Sequence, residues 1–149
     1  MSDLAHQLLH SFRRFQKLTH SNRTIHGFKR SEMMMLFVIN RRNEQGEKAI
    51  TVSEISSLLQ ITSPSVTQVI NALEGEGFVK RINDEKDGRI VRIILTEKGE
   101  SVTKEIHQKI EDKYLRLAEH LGEEKSELLI SLLEEVNGFF LKDKLEGEK

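Results

Sequence analysis

Two short helical segments separated by a turn, between residues 51 and 75, constrain the fold of this chain more than any other feature. The first, TVSEISSLL, begins at Thr51 and has Glu54 three residues later. This spacing predicts a capping box, in which the hydroxyl accepts from a free amide and the carboxylate accepts from the amide of the cap residue. The stretch QITSPS interrupts this helix, and Ser63 and Pro64 suit the N-cap and the first position of a second helix. The layout predicts a helix-turn-helix.

The second short helix has one apolar side and one side of small polar residues. Its apolar positions recur at the spacing of a buried helical stripe: Val66, Val69, Ile70 and Leu73. Four residues that both donate and accept hydrogen bonds lie outside this stripe: Ser65, Thr67, Gln68 and Asn71. Because the major groove of B-DNA admits a helix and presents donors, acceptors and methyl groups, we interpret the polar side as a surface that reads base edges. The free amides near Ser63, at the helix start, suit a phosphate.

A β-hairpin is predicted directly after this helix. Gly77 suits a left-handed residue at the helix end. The segments FVKRI and RIVRIIL are rich in β-branched residues and flank the polar loop NDEKDG. In the second segment Val91, Ile93 and Leu95 alternate with other residues, as in a half-buried strand. A hairpin attached to a helix-turn-helix is a wing.

The hairpin supplies the cations for a DNA contact. Lys86 and Arg89 lie in its loop, where an arginine can enter a narrow minor groove, and Asp87 can orient Arg89 through a local salt bridge. On the strands, Arg81 and Arg92 are candidates for contacts with backbone phosphates. The helix-turn-helix and hairpin together contain five Lys or Arg against six Asp or Glu. We therefore expect this region to bind DNA through a few cations at specific positions rather than through a broad positive surface.

The remaining segments have the apolar spacing of amphipathic helices. One helix is predicted in DLAHQLLHSFRRFQKLTH and a second in KRSEMMMLFVINRR, with Gly27 in the turn between them. Thr96 caps a long helix that ends at Gly122, and a last helix follows it. The predicted fold is therefore mainly α with a small β-hairpin wing: a winged helix-turn-helix flanked by N- and C-terminal helices.

The composition favours a chain that completes its core by pairing with a copy of itself. Hydrophobic residues make up 37% and charged residues 32% of the sequence, which is lean for a core. The first and last helices nevertheless carry wide apolar faces: Leu4, Leu8, Leu9, Phe12 and Phe15 at one end, and Leu129, Leu132, Leu133, Val136, Phe139, Phe140 and Leu141 at the other. We therefore predict a homodimer formed through these helices.

No membrane, redox or catalytic role is expected. The sequence has no apolar run long enough to span a bilayer and no apolar signal segment near Met1, so the cytoplasm is the expected compartment. The absence of cysteine excludes disulfides, Cys-ligated zinc and a thiol switch. There is no Gly-rich phosphate loop, partnered nucleophile or close carboxylate pair, so neither an enzyme nor a cofactor is predicted.

The order of these elements resembles the central region of the multiple antibiotic resistance regulator (MarR) family. The resemblance is carried by Leu73-Glu74 followed by Gly77 and Arg81, by the wing sequence DEKDGR, and by LTEKG at the start of the next helix. The flanking helices also fall where that family has them, so the resemblance covers nearly the whole chain.

The resemblance implies a DNA-binding transcriptional regulator, usually a repressor, that binds a pseudo-palindromic operator in double-stranded DNA as a homodimer. Residues 1–149 would then form a single unit, with dimerisation helices at 1–25 and 123–145. The winged helix-turn-helix would occupy residues 30–96, and a long connecting helix residues 97–121.

Regulators similar to this family often carry a small-molecule pocket where the dimerisation helices meet the winged helix. In this chain the walls are expected from seven residues: Phe12, Phe15, Met33, Met34, Met35, Phe37 and His107. A small hydrophobic or phenolic effector is the candidate ligand, because methionine side chains adapt to apolar partners. The alternative is that these methionines only fill the core.

Two other functions stay open at this point. A metal-responsive regulator would use His6 with His10, or His107 with Glu111, each pair at helical i, i+4 spacing. The sequence brings no third ligand near either pair, so no metal site is predicted. A winged helix that binds protein rather than DNA fits the near-neutral middle of the chain, and steep salt dependence of binding would separate the two.

Overall fold

The computed structural model describes residues 3–19 and 24–147. In this part of the chain it has six helices and a two-stranded antiparallel hairpin, which confirms the predicted fold class. The elements are α1 (Asp3–Thr19), α2 (Arg30–Glu44), α3 (Val52–Leu59), α4 (Ser63–Gly75), β1 (Val79–Asn83), β2 (Val91–Leu95), α5 (Glu97–Leu121) and α6 (Glu123–Gly147).

The chain divides into two compact units, Met1–Ile106 and His107–Lys149, with the boundary inside α5. The first unit holds the helix-turn-helix and the hairpin. The second holds the remainder of α5 and all of α6. The predicted connecting helix at 97–121 has the bounds of α5, and α6 runs two residues past its predicted end at 145.

A tight turn lies between α1 and α2, within the segment of residues 1–28 that contains the predicted first helix and break. Ile25 and Phe28 exchange two backbone hydrogen bonds of 3.1 and 3.0 Å. Between them, His26 and Gly27 have φ angles of 56° and 84°, the left-handed pair of a two-residue hairpin turn. The turn predicted at Gly27 is confirmed, whereas the helix ends at Thr19; residues 1, 2 and 20–23 of the predicted segment lie outside the described residues.

The two helices of the helix-turn-helix begin at hydroxyl caps. The capping box of Thr51 and Glu54 is confirmed at the start of α3. α3 ends at Leu59, and its C-cap residue Gln60 turns the chain with a φ of 53°. The cap of α4 is Thr62, whose hydroxyl accepts from the amide of Ser65; the prediction of Ser63 as N-cap was wrong by one residue, because either hydroxyl can cap a helix with proline in its first turn.

The hairpin follows α4 through Gly77, whose φ of 80° confirms the predicted left-handed residue. β1 pairs with β2 in antiparallel register from Val79 opposite Leu95 to Asn83 opposite Val91. In β2, Leu95 is buried as predicted, whereas Val91 is 41% exposed because the hairpin extends past the core at that end.

The core of the first unit lies where α2, α4 and β2 meet. Its fully buried side chains come from nearly every element: Met35, Leu36 and Ile39 of α2, Ile50, Ile55 of α3, Val66 and Ile70 of α4, Ile93 of β2 and Ile106 of α5. Burying each such side chain contributes roughly 1.5–3 kcal/mol. The methionine-rich α2 is therefore chiefly a core helix.

The start of α5 packs closely against the chain just before the hairpin. The hydroxyl of Thr96 accepts from the amide of Gly99 at 3.0 Å, which confirms the predicted cap. The same hydroxyl donates to the Gly77 carbonyl at 2.6 Å. A β-carbon added at Gly99 would collide with the carbonyl oxygen of Phe78, so glycine is required here by the close approach of two backbones.

The apolar faces of α1 and α6 are exposed. Neither helix has a buried residue among those described. The exposed large side chains include Leu4, Leu8 and Phe15 of α1 and Leu129, Leu132, Leu133, Phe139 and Phe140 of α6. Within the described residues, none of the helices has the length and apolarity to cross a membrane.

The close contact between Gly99 and the backbone of Phe78 predicts that a larger residue at position 99 lowers stability. Gly99→Ala should lower the free energy of unfolding by about 1–3 kcal/mol or more, because the new methyl group meets backbone that cannot move aside. Urea unfolding followed by circular dichroism measures the change. Gly75→Ala, where a β-carbon meets nothing, is the matched control and should be neutral or mildly stabilising. Equal stability of the two variants would contradict the predicted clash.

Candidate nucleic-acid interface

The outward face of α4 is polar. Ser63, Ser65, Gln68 and Asn71 are exposed, and Thr67 is half-buried at the edge of the apolar stripe. Helical spacing of three residues brings Ser65, Gln68 and Asn71 onto one side. The four residues predicted to read bases therefore lie along one side of α4, and Thr67, four residues before Asn71, lies at its edge next to the apolar stripe.

The hydroxyls at the start of α4 are joined to each other. Thr62 and Ser65 share a hydrogen bond of 2.8 Å between their hydroxyl oxygens, in addition to the cap. Ser65 is therefore partly committed to ordering the first turn. The sequence did not identify Thr62 as the cap, although a hydroxyl two residues before Pro64 was a signal for it.

Arg81 of β1 faces α4. Its guanidinium forms an ion pair with Glu74 and donates to Asn71 Oδ1 at 2.7 Å, and its side chain is 29% exposed. The backbone amide of Arg81 also donates to the carboxylate of Glu74, at 3.2 Å. These contacts differ from the predicted contact with a phosphate, because the donors point to α4. The sequence identified Glu74 only as part of the MarR pattern, and its contact with Arg81 was not predicted.

The loop of the hairpin is organised by two carboxylates. Asp84 Oδ1 accepts from the amides of Lys86 and Asp87 at 2.9 and 3.0 Å. Asp87 Oδ1 accepts from both the backbone amide and Nε of Arg89, each at 3.1 Å. The hydrogen bond from the Arg89 side chain holds the pKa of Asp87 below its ordinary value. The loop thus has the local salt bridge that the sequence suggested.

The tip of the hairpin presents its arginine to solvent. The side chain of Arg89 is 92% exposed, although Asp87 orients its guanidinium. Lys86 is exposed in the same loop. The two predicted cations of the loop are therefore accessible to a polyanion.

The side chain of Arg92 is engaged within the fold, and its predicted contact with a phosphate stays a prediction. Its side chain is only 14% exposed, its Nε donates to Asp84 Oδ2 at 2.5 Å, and a terminal nitrogen donates to the carbonyl of Ala49 at 2.6 Å. Asp84 is 6% exposed, and the bond from Arg92 is the main reason why its pKa is far below its ordinary value. Arg92 therefore ties the hairpin loop to the segment before α3.

Further charges connect the helix-turn-helix with α2. Arg42 pairs with Glu47 at 2.5 Å and with Glu54, the capping carboxylate of α3, at 3.5 Å. The other oxygen of Glu54 lies 3.9 Å from Arg92. The acidic residues of this region thus serve mainly as partners for arginines.

The residues proposed for an effector pocket lie in different environments. Met33 and Met35 are buried, whereas Met34 and Phe15 are exposed, and Phe12 and Phe37 are half-buried. His107 belongs to the second unit, and its Nδ1 lies 3.2 Å from Oε1 of Glu111. Met35 is therefore core, and the pocket stays a prediction for the other residues. No group of three or more His, Asp or Glu able to hold a metal is found in residues 3–19 and 24–147.

A polar helix followed by a hairpin with an exposed arginine defines a winged helix-turn-helix protein. Residues 26–90 match the model of the MarR family. A transcriptional regulator of the helix-turn-helix type from Bacillus subtilis, YkoM, is 33% identical over 108 residues, which are 72% of this chain and 67% of that protein. The chain belongs to the MarR family, whose related proteins are transcriptional regulators and not enzymes.

Other similarities extend this result. FarR, a transcriptional regulator of the helix-turn-helix type from Neisseria gonorrhoeae, is 38% identical over 51% of this chain and 52% of its own length. The chain thus spans about half the length of the curated relatives it matches first. The structure of Streptococcus pneumoniae FabT in complex with DNA is similar over 93% of this chain and 96% of that one, with a TM-score of 0.71 and 22% identity.

The pair formed by Asp84 and Arg92 predicts a dependence of stability on pH. In the folded protein the pKa of Asp84 is lower than in the unfolded chain, where it is about 4. The ionised carboxylate therefore contributes fully to the free energy of unfolding above about pH 4, and this contribution is lost as the pH falls below that value. Asp84→Asn should lower the unfolding free energy at pH 7 and reduce its decline towards pH 3, measured by urea unfolding.

Glu85→Gln, which changes an exposed carboxylate of the same loop, is the matched control for this experiment. It should leave the decline between pH 7 and pH 3 close to that of the unmodified protein. A pH profile of Asp84→Asn that overlays the unmodified one would contradict the assignment.

Proposed function

We propose that this chain is a transcriptional regulator that binds a pseudo-palindromic operator in double-stranded DNA as a homodimer. The observation that carries the proposal is the pairing of two exposed features within the first unit: the polar face of α4 and the tip arginine of the hairpin. A helix of this kind fits the major groove, and an arginine beyond it fits the adjacent minor groove.

The dimer is supported by the uncovered apolar faces of α1 and α6. Large leucine and phenylalanine side chains on both helices are exposed, in a quantity that a single soluble subunit rarely leaves in water. In this proposal residues 1–149 act as one unit, and α1 and α6 supply the dimer contacts. A twofold axis would then set two copies of α4 about one duplex turn, roughly 34 Å, apart.

Repression is the proposed outcome of operator binding. A dimer that covers a promoter excludes other proteins from the same duplex by volume alone, so this outcome needs no additional contact surface. We further propose that a small hydrophobic or phenolic effector releases the operator, by binding near Met34 and Phe37 of α2, and that the protein acts in the cytoplasm. Adaptable methionine side chains support the effector.

The tip arginine gives the first test of DNA binding. Arg89→Ala should weaken operator binding at least about fivefold at constant salt, because a guanidinium in the minor groove is lost. Fluorescence anisotropy with labelled operator, selected from random duplex DNA, measures the affinity. Lys104→Ala removes an exposed cation from α5 and is the control that should retain affinity. An unchanged affinity of Arg89→Ala would reject the wing as a DNA contact.

Salt dependence separates DNA from a protein partner. With Lys86 and Arg89 supplied by each of two subunits, the slope of log affinity against log salt should be about −3 to −4, at roughly −0.9 per phosphate neutralised. A slope near zero, or failure to select any duplex, would favour a partner other than DNA.

The apolar face of α6 gives the test of the dimer. Leu133→Glu should shift the protein from dimer to monomer, because a carboxylate would be buried without a partner at the interface. Sedimentation velocity across a concentration series measures the shift. Glu134→Gln, at the neighbouring exposed position, should remain dimeric. A monomeric unmodified protein at all concentrations would overturn the dimer.

A further inference from the structure

Asn71, on the exposed face of α4, contacts a charged side chain of the hairpin. A terminal nitrogen of Arg81 donates to Asn71 Oδ1 at 2.7 Å. Glu74, one turn along the helix from Asn71, holds the same guanidinium by an ion pair and also accepts from the backbone amide of Arg81. The three residues form a chain of contacts that runs from β1 to the outward side of the helix.

The chemistry of this contact determines which way the amide of Asn71 is turned. A guanidinium has only donors, so the amide atom that faces it must be the carbonyl oxygen. Oδ1 and Nδ2 are both bonded to Cγ and point in different directions. Because Oδ1 faces Arg81, Nδ2 points away from Arg81. Because Asn71 is exposed, its free orientation would otherwise offer a donor and an acceptor equally.

We propose that Arg81 is a positioning residue that makes Asn71 a hydrogen-bond donor towards DNA, so that α4 selects guanine at one position of each half-site. The inference rests on the proposed function. Guanine presents two acceptors, O6 and N7, in the major groove, whereas adenine presents an acceptor and an amino group. An asparagine with both atoms available pairs with adenine, and this one has its oxygen engaged by a cation.

The charge of Arg81 strengthens the same preference. The guanidinium lies beside the amide oxygen, so an amino group of adenine or cytosine placed there would meet a like partial charge. Glu74 restrains the guanidinium on its other side, and the side chain is 29% exposed, so the orientation is kept when the helix approaches DNA. Asn71 then presents its Nδ2 donors to a base edge, beside the positive charge of Arg81.

Base preference of the Arg81→Lys variant tests the proposal. Lysine keeps a positive charge for Glu74 but lacks the planar fork that also reaches Asn71. Selection of bound duplexes from random DNA should show a guanine preference in the unmodified protein that falls roughly tenfold in Arg81→Lys. Asn71→Ala should lose the preference at the same base position, and the double variant should show no additional loss.

Gln68→Ala is the matched control on the same face, and it should change a different base position. The positioning role would be overturned if Asn71→Ala lost the guanine preference and Arg81→Lys kept it. It would also be overturned if the unmodified protein selected adenine at the base position that depends on Asn71. Failure of the unmodified protein to select any motif would overturn the proposed function and this inference with it. A motif that the variants leave unchanged would overturn this inference alone.

Asn71→Asp tests the same point if Arg81→Lys does not fold, as judged by thermal unfolding. Aspartate has the shape of asparagine and keeps an oxygen for Arg81, but it replaces the outward donor with an acceptor. The preference should move from guanine to a base that offers an amino group, cytosine or adenine. Retention of guanine by this variant would overturn the proposal.

Discussion

The one-sided burial of α4 is the constraint on which the other features of this molecule depend. Val66 and Ile70 are fully buried and Leu73 nearly so, in contact with the core formed with α2 and β2. Since side chains on a helix repeat every 3.6 residues, burial of this stripe determines which residues face outward. The outward orientation of Gln68 and Asn71 is therefore a consequence of core packing, and it persists for as long as the core remains folded.

The charges of the winged region are arranged mainly as internal pairs. Arg42 and Arg92 both lie near Glu54 of α3, and Arg81 pairs with Glu74 of α4, so these contacts join α2, α3, α4 and the hairpin. This arrangement explains why the region is near-neutral overall while Arg89 stands exposed at the tip. A low net charge is thus compatible with DNA binding, because Glu54, Glu74 and Asp84 neutralise arginines that hold the fold together.

Local patterns in the sequence were sufficient to predict most elements. The capping box at Thr51, the left-handed Gly77 and the cap at Thr96 depend on residues within a few positions of each other, so short-range chemistry determines them. Errors occurred where two local solutions were equivalent, as at Thr62 and Ser63, or where burial decided the outcome, as at Val91. The apolar spacing of α1 and α6 predicted their helices, and the pairing of their exposed faces with a second copy stays a prediction.

The sequence by itself determined the order of helices and strands, the stripe of α4 and the salt bridge of Asp87 with Arg89, because each arises between near neighbours in the chain. Only the tertiary structure decided the roles of the arginines. Arg92 contacts Ala49, far away in sequence, and Arg81 meets Asn71 only after the hairpin folds back along α4. An arginine looks the same in a sequence whether it faces a phosphate or a carboxylate, and packing between distant elements makes the choice.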